Sequence, residues 1–323
     1  MGPTPAPAGV RAPVRSRPRS PASLRLYPRP PFRLDLTAWA LRRRAQNRID
    51  HWDGLTYRRA LIIDGRRLEV AVAQAGDPDR PRLDVALSGV RLTPSRAATV
   101  TEVLTRLLGL EVDLSGFYAR AAADRALRRL AQRYRGLKPP RFPTLFECLL
   151  NAVACQQVSL AAGLTVLSRL AEAVAPVGGA LHPFPAPLAV LHLSPSELRE
   201  LGFSERKAHT ILELAGAAAD GELDLDRFTS LDDDEVVGRL VQRPGIGRWS
   251  AEYVLLRGLG RLHVFPPTDV GALNGLRRFL AASGLADDPA RALTRWREDA
   301  GVLYFHLLLR ALEERGTLDP GVR

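Results

Sequence analysis

The chain has 323 residues, 46% hydrophobic and 25% charged, with 46 Lys+Arg against 35 Asp+Glu and a formal net charge of +11. That length suits about two globular domains, and the composition excludes both a disordered chain and a small disulfide-stapled one. The cationic excess favours a polyanionic partner, nucleic acid or an anionic surface, although every cation except Lys138 and Lys207 is an arginine, a skew that genome base composition alone can produce.

Residues 1–31 hold nine prolines and no acidic residue, and read as a disordered Pro/Arg-rich arm dispensable for chemistry. They contain no apolar signal core, and no run reaches the 18 or so apolar residues of a membrane span, so a cytoplasmic, nucleoid-associated protein is expected, with no membrane partner. Residues 32–114 read as a small α+β domain. A helix is expected over Leu36 to Arg48, then strands over Leu55 to Ile63, Arg67 to Gln74 and Arg82 to Ser88. Asp64-Gly65 between the first two is a type I′ hairpin signal. Leu68, Val70 and Val72 alternate with Glu69, Ala71 and Ala73, the pattern of an antiparallel sheet covered on one side. Thr93-Pro94 opens a further helix as cap and first turn.

Residues 115–323 carry apolar side chains three and four apart almost throughout, which predicts an all-helical domain. Helices are expected near Ala121 to Tyr134, Thr144 to Gln157, Leu160 to Ala175, Glu205 to Ala219, Asp232 to Val241, Trp249 to Leu259, Val270 to Ala281, Pro289 to Arg297 and Gly301 to Glu314. Breakers at Lys138-Pro139-Pro140, Val177-Gly178-Gly179 and Pro183-Phe184-Pro185 separate several of them. The acidic run Asp232 to Glu235 reads as a helix start, not a metal site. Cys148 and Cys155 share a helix face and read as core packing. They are too few for a cysteine-ligated cluster or a Cys-only zinc site, and His209, His263 and His306 lack metal-ligand spacing, so no cofactor and no metal are expected.

The most informative stretch is Leu240-Val-Gln-Arg-Pro244-Gly245-Ile246-Gly247-Arg248-Trp249-Ser250-Ala251-Glu252-Tyr253. One helix ends near Gln242, two glycines make a tight turn, and a second helix opens at once. Such a hairpin aims the backbone N–H groups of Gly245 to Trp249 outward at the positive end of a helix dipole, where anions bind. A Cβ at either glycine would hold a phosphate away, and Ile246 between them anchors the turn in the core. Val264-Phe265-Pro266-Pro267-Thr268-Asp269 follows. Taken alone, Asp269 is an N-cap for the next helix.

Together these residues resemble the helix–hairpin–helix superfamily of DNA glycosylases, closest to its DNA-3-methyladenine glycosylase II (alkylation repair) branch. Further landmarks stand in the family's order: Phe142-Pro143-Thr144-Leu145-Phe146-Glu147, Gln156-Gln157-Val158-Ser159, Phe184-Pro185-Ala186-Pro187, and Leu201-Gly202-Phe203 with Arg206-Lys207-Ala208. The likeness covers roughly residues 115–315, and the strand-rich segment before it resembles the branch's TATA-binding-protein-like domain.

The resemblance implies that Asp269 is catalytic: a carboxylate beside C1′ stabilises the oxocarbenium-like sugar formed as the base departs. It implies that the base is flipped out of duplex DNA, with Gln156 and Gln157 on the loop that enters the gap and Gln157 as the plug. Trp249 and Tyr253, four apart on one helix face, would line the base pocket, where aromatic faces favour a cationic alkylated base. By register Asp299 stands where the branch has a pocket aromatic, and is expected to favour cationic bases by charge. Gly245, Ile246, Gly247 and Arg248 would hold the DNA backbone, with Arg206 and Lys207 of a second, degenerate hairpin; a monovalent cation held by hairpin carbonyls is a further expectation. Bifunctional members place a lysine where this chain has Trp249, and Lys138 and Lys207 fit phosphate contact or solvent better, so no Schiff base is expected. The expected protein is a monomeric, monofunctional glycosylase that excises 3-methyladenine and 7-methylguanine type bases in base excision repair. The rival readings are a non-catalytic hairpin DNA-binding protein and a bifunctional glycosylase/lyase for other damaged bases.

Overall fold

The computed structural model describes residues 22–174, 181–285 and 288–318. Its N-terminal sheet is built by alternation. Leu68, Val70 and Val72 are buried on one face while Glu69, Ala71 and Ala73 on the other are partly exposed, as a side-chain period of two requires. Five strands, β1 (Ala22–Leu26), β2 (Asp50–Trp52), β3 (Thr56–Ile63), β4 (Arg66–Ala75) and β5 (Arg82–Ser88), pair antiparallel in the order β1-β5-β4-β3-β2. Asp64 and Gly65 between β3 and β4 both have positive φ, 51° and 66°, as the type I′ turn demands. Helices α1 (Leu34–Arg42) and α2 (Pro94–Leu107) cover the inner face through Leu34, Ala38 and Leu41, and through Val100, Leu104 and Leu107. Thr93 caps α2 by accepting the Arg96 N–H.

Two expectations for this region need correction. The arm expected over residues 1–31 is shorter, because residues 22–26 form β1 on the free edge of β5, with Leu26 buried. Pairing of that kind is a long-range event that a Pro/Arg-rich local sequence does not signal. Residues 1–21 of the expected arm lie outside the described residues. Helix α1 also stops at Arg42 instead of continuing to Arg48, since Arg43 takes the left-handed conformation with φ 53°.

The helices that follow are α3 (Ser115–Ala123), α4 (Arg125–Arg133), α5 (Leu145–Cys155), α6 (Leu160–Val174), α7 (Pro187–Val190), α8 (Pro195–Glu200), α9 (Glu205–Ala219), α10 (Leu225–Thr229), α11 (Asp233–Val241), α12 (Arg248–Tyr253), α13 (Val270–Ala282), α14 (Pro289–Arg295) and α15 (Ala300–Glu314). The single helix expected over 121–134 is two, because Asp124 accepts the N–H groups of Ala126 and Leu127 and so starts α4. Helix α12 continues as a π-helical turn, Val254–Leu259. The breaker expected at Val177-Gly178-Gly179 lies outside the described residues.

These helices form two apolar clusters, one around α5, α9 and α12 and one around α3, α4, α13 and α15. Helix α1 joins the second of these to the sheet: Leu36, Trp39 and Ala40 pack among the helices while Leu34, Ala38 and Leu41 pack under the strands. A helix apolar on all sides is a buried one. The sheet is also tied to α5 by Arg59 of β3, which donates to Asp50 at 2.8 Å and to Glu147 at 2.6 Å, all three buried. Lys138, expected in solvent or at a phosphate, is fully buried; its ammonium donates to Val112 O at 2.6 Å, and burial pushes it down to about 8.

Candidate active site

The hairpin forms as its sequence predicts. Helix α11 ends at Val241 and α12 opens at Arg248, with Ile246 between them buried in the core. The two glycines serve different ends. Gly245 has φ 83°, and a Cβ there would lie 2.0 Å from Thr210 Oγ1, so this glycine lets the hairpin close on α9. Gly247 has φ −97°, and a Cβ would meet nothing within 4 Å, so its outer side is open to an approaching group. The outward N–H array is smaller than expected, because Ile246 N–H donates to Arg243 O at 3.1 Å. The carbonyls of Arg243, Gly245 and Gly247 each accept an N–H, which leaves one lone pair apiece for the cation expected there. Among the described residues, no group of three or more His, Cys, Asp or Glu could hold a metal ion.

Asp269 is both a cap and a site residue. Its Oδ1 accepts the Ala272 N–H at 2.8 Å, capping α13, while its Oδ2 accepts from Trp249 Nε1 and the Tyr304 hydroxyl, each at 3.3 Å. Two hollows meet at this carboxylate. A groove of about 670 Å³ runs beside the hairpin past Gln156, Gln157, Arg206, Lys207, Gly245 and Gly247. A deeper cavity of about 470 Å³ is lined by Arg43, Trp249, Tyr253, Arg257 and Tyr304. Cys155, Val158, Trp249 and Asp269 border both, so the carboxylate sits at the passage between them. Trp249 and Tyr253 share the cavity face as their spacing predicts, with ring centroids 5.5 Å apart and planes at 36°. A larger hollow of about 870 Å³, between α4, α13 and α15, contains none of the predicted site residues.

Around the groove, Gln156 caps α5, and its Nε2 donates to Gly245 O at 2.9 Å and Ser250 Oγ at 3.0 Å, so it braces the hairpin. Gln157 follows, exposed and left-handed at φ 54°, beside Val158, an apolar side chain 48% exposed. Lys207 lines the groove, but its ammonium donates to Ala154 O at 3.0 Å and Gln156 O at 2.8 Å, so it secures the end of α5 more than it offers a free charge. Burial lowers that ammonium from its ordinary value. Arg206 is exposed, and Arg248 is exposed with a 2.8 Å pair to Glu252.

Asp299 is the residue that sequence reasoning misplaced. It is buried at the start of α15, where both carboxylate oxygens accept from Arg120 at 2.7 Å, and it borders neither hollow. The register between Trp296 and His306 is broken by the 3-10 turn Arg297–Asp299, which rotates Asp299 away from the cavity. The α15 residue that does reach the cavity is Tyr304, which sequence reasoning missed together with Arg43 and Arg257. Arg43 is 5% exposed and donates to Leu41 O at 3.1 Å, Tyr253 OH at 3.1 Å and Asn151 Oδ1 at 2.7 Å. Burial works against its charge, yet Tyr253, Cys155 and Tyr304 around it hold the guanidinium above its ordinary value. In sequence Arg43 falls inside the helix expected over Leu36 to Arg48; only the left-handed backbone turns its side chain to the cavity.

A helical bundle presenting a Gly-rich hairpin beside an aromatic cavity with a carboxylate at its mouth defines the helix–hairpin–helix class. The family model described as HhH-GPD superfamily base excision DNA repair protein matches residues 150–298, and an AlkA N-terminal domain model matches residues 23–143, running past residue 114 through α3 and α4. The chain is 30% identical over 180 residues to DNA-3-methyladenine glycosylase 1 of Schizosaccharomyces pombe, which covers 54% of this chain and 74% of that protein. It is 32% identical over 286 residues to the probable bifunctional transcriptional activator/DNA repair enzyme AlkA of Mycobacterium tuberculosis, covering 85% of this chain and 54% of that protein. The solved 3-methyladenine DNA-glycosylase from Archaeoglobus fulgidus superposes with a TM-score of 0.74 at 25% identity, covering 88% of this chain and 97% of that one. The chain thus belongs to the HhH-GPD superfamily of base excision DNA repair proteins, in its DNA-3-methyladenine glycosylase family. It spans about half the length of several curated relatives it matches.

Proposed function

We propose that this protein is a monofunctional DNA glycosylase that flips an alkylated base out of duplex DNA and hydrolyses its bond to the sugar, leaving an abasic site. One observation carries the reading: the Asp269 carboxylate stands at the passage between the hairpin groove and the aromatic cavity. A backbone held along the groove by Arg206, Arg248 and the open side of Gly247 would put the sugar of an extruded nucleotide at that passage and its base among Trp249, Tyr253 and Tyr304. Departure of the base leaves positive charge on the sugar, and a carboxylate fixed by hydrogen bonds from Ala272, Trp249 and Tyr304 stabilises it without reorganising. Gln157 and Val158, exposed at the tip of the loop that borders both hollows, fit the role of filling the vacated stack.

The absence of a free lysine amine supports hydrolysis without strand cleavage. Position 249 is Trp, and the chain's two lysines donate to Val112 O and to the α5 carbonyls. The names of the relatives support alkylated bases as the substrate class. Asp269→Asn tests the reading cleanly, because Asn still accepts the Ala272 N–H and keeps the cap. Base release from methylated duplex DNA should fall by about 10²-fold or more while duplex affinity is retained. Equal loss of both would favour a binding protein, and borohydride trapping of a covalent DNA adduct would contradict monofunctional hydrolysis.

A further inference from the structure

The hollow between α4, α13 and α15 has no part in the chemistry proposed above, and its charge is unbalanced. We propose that it is a docking site for an acidic peptide segment of a partner protein, one that carries an apolar side chain among its carboxylates. Five arginines and three acids line it. The acids are committed to the fold. Asp124 caps α4, accepts from Trp296 Nε1 at 3.0 Å and pairs with Arg295 at 2.8 Å. Glu313 accepts from Arg133 and from the Tyr134 hydroxyl, and Glu314 pairs with Arg310 at 2.8 Å. Arg125 and Arg129, by contrast, are exposed and have no acidic partner among the described residues.

Local helix physics gives no reason for this arrangement. Arg125, Arg129 and Arg133 stand four apart on α4, so three like charges share one helix face and repel. Arg125 also opens the helix, where the dipole is positive and disfavours a cation. Breaking local rules in this way, with no compensation inside the fold, is the pattern expected of a functional surface. The floor among the arginines is apolar, formed by Ala126, Leu130, Ala282 and Leu285. A guanidinium holds a carboxylate through two parallel hydrogen bonds, so a peptide can set its acids on Arg125 and Arg129 and an apolar side chain on the floor between them. A nucleic-acid backbone fits less well: it brings a continuous row of phosphates past Glu313 and Glu314 and has no apolar group for the floor. The hollow shares no lining residue with the groove or the cavity. Helix α13 runs from the Asp269 cap to Ala282 in the hollow, about 18 Å at 1.5 Å per residue, so the protein can hold DNA and the partner together.

The test is selection from a phage library of random short peptides on the immobilised wild-type protein, with subtraction on the double variant Arg125→Glu, Arg129→Glu. Both positions are exposed, and Glu suits the first turn of a helix, so that variant should melt no lower than the wild type. The enriched peptides should carry at least two acids beside an apolar residue. Made synthetically and followed by fluorescence anisotropy, the best of them should bind about tenfold or more weakly to the double variant. Ala282→Trp, which fills the floor and leaves every charge in place, should weaken it by a similar factor and so separates docking in the hollow from general attraction to a basic chain. Affinity should be the same with duplex DNA already bound. No enrichment over the double variant, or enriched peptides without acids, would overturn the proposal. So would an affinity that Ala282→Trp leaves unchanged. Displacement of the peptide by a short undamaged duplex would make the hollow a nucleic-acid site instead.

Discussion

Asp269 shows how one side chain can satisfy two demands. As a cap it needs an oxygen on the Ala272 N–H, and that bond fixes its rotamer so that the other oxygen faces the cavity. Read by itself Asp269 is only a cap; it was the resemblance to the glycosylase family, landmark by landmark, that singled it out. Asp299 failed for the opposite reason: its placement rested on helical register, and a short 3-10 turn was enough to rotate it out. The structure therefore predicts that Asp299→Asn leaves the ratio of hypoxanthine to 7-methylguanine release unchanged. It should instead cost about 1–2 kcal/mol of stability, read by denaturant unfolding, through the weakened grip on Arg120. A changed ratio with unchanged stability would return Asp299 to the pocket.

At the scale of elements, the hairpin is held by its neighbours as much as by its own turn. Gln156 bridges the end of α5 to Gly245 O and Ser250, and Lys207 of α9 holds two carbonyls at the end of α5, so three elements converge behind the groove. The two glycines separate packing from binding. Gly245→Ala should destabilise the protein by about 2 kcal/mol or more in thermal or denaturant melts, because the new Cβ meets Thr210 and the backbone has positive φ. Gly247→Ala should leave stability within about 0.5 kcal/mol, since the site is open and φ is ordinary, yet weaken duplex affinity and flatten its salt dependence. A Gly247→Ala protein that binds duplex DNA with unchanged affinity would remove this glycine from the binding surface. The hairpin and its flanking helices were legible because a Pro-Gly-x-Gly turn between amphipathic runs is a local signal. The short helices α7, α8 and α10 were not, being too short to show a period.

Across the whole molecule, the sheet is not an appendage. Arg59 joins it to α5 through Glu147, and α1 lies between the strands and the helices before ending in the cavity at Arg43. Because breaking a buried pair strands a charge, Glu147→Gln should cost about 3–5 kcal/mol in denaturant unfolding. A loss below about 1 kcal/mol would mean the pair is not a tie between the halves. His306 gives the fold a pH signature. It is fully buried between Phe117 and Tyr134, its Nδ1 lies 2.9 Å from Val302 O, and burial pulls the imidazole down to about 4. The unfolded chain binds this proton more readily, so the stabilisation is complete above about pH 6.5 and is lost as pH falls through about 4. His306→Phe should remove up to about 3 kcal/mol of the fall in unfolding free energy across that window. Parallel pH profiles for both proteins would show that the buried imidazole does not titrate on unfolding.

Sequence alone determined what short-range physics encodes: the alternating strands, the Asp-Gly turn, the amphipathic helices, the Gly-rich hairpin, and Trp249 and Tyr253 on one helix face. Each of these is written within a dozen or so residues, where side-chain period and turn chemistry act directly. Tertiary structure alone decided that an arginine at the end of α1, some two hundred residues from the hairpin, forms the wall of the cavity, that Tyr304 and not Asp299 faces it, and that β1 completes the sheet. Those facts depend on which surfaces meet when the chain closes, and a left-handed residue or a single 3-10 turn redirects a side chain without leaving a mark in the hydrophobic pattern.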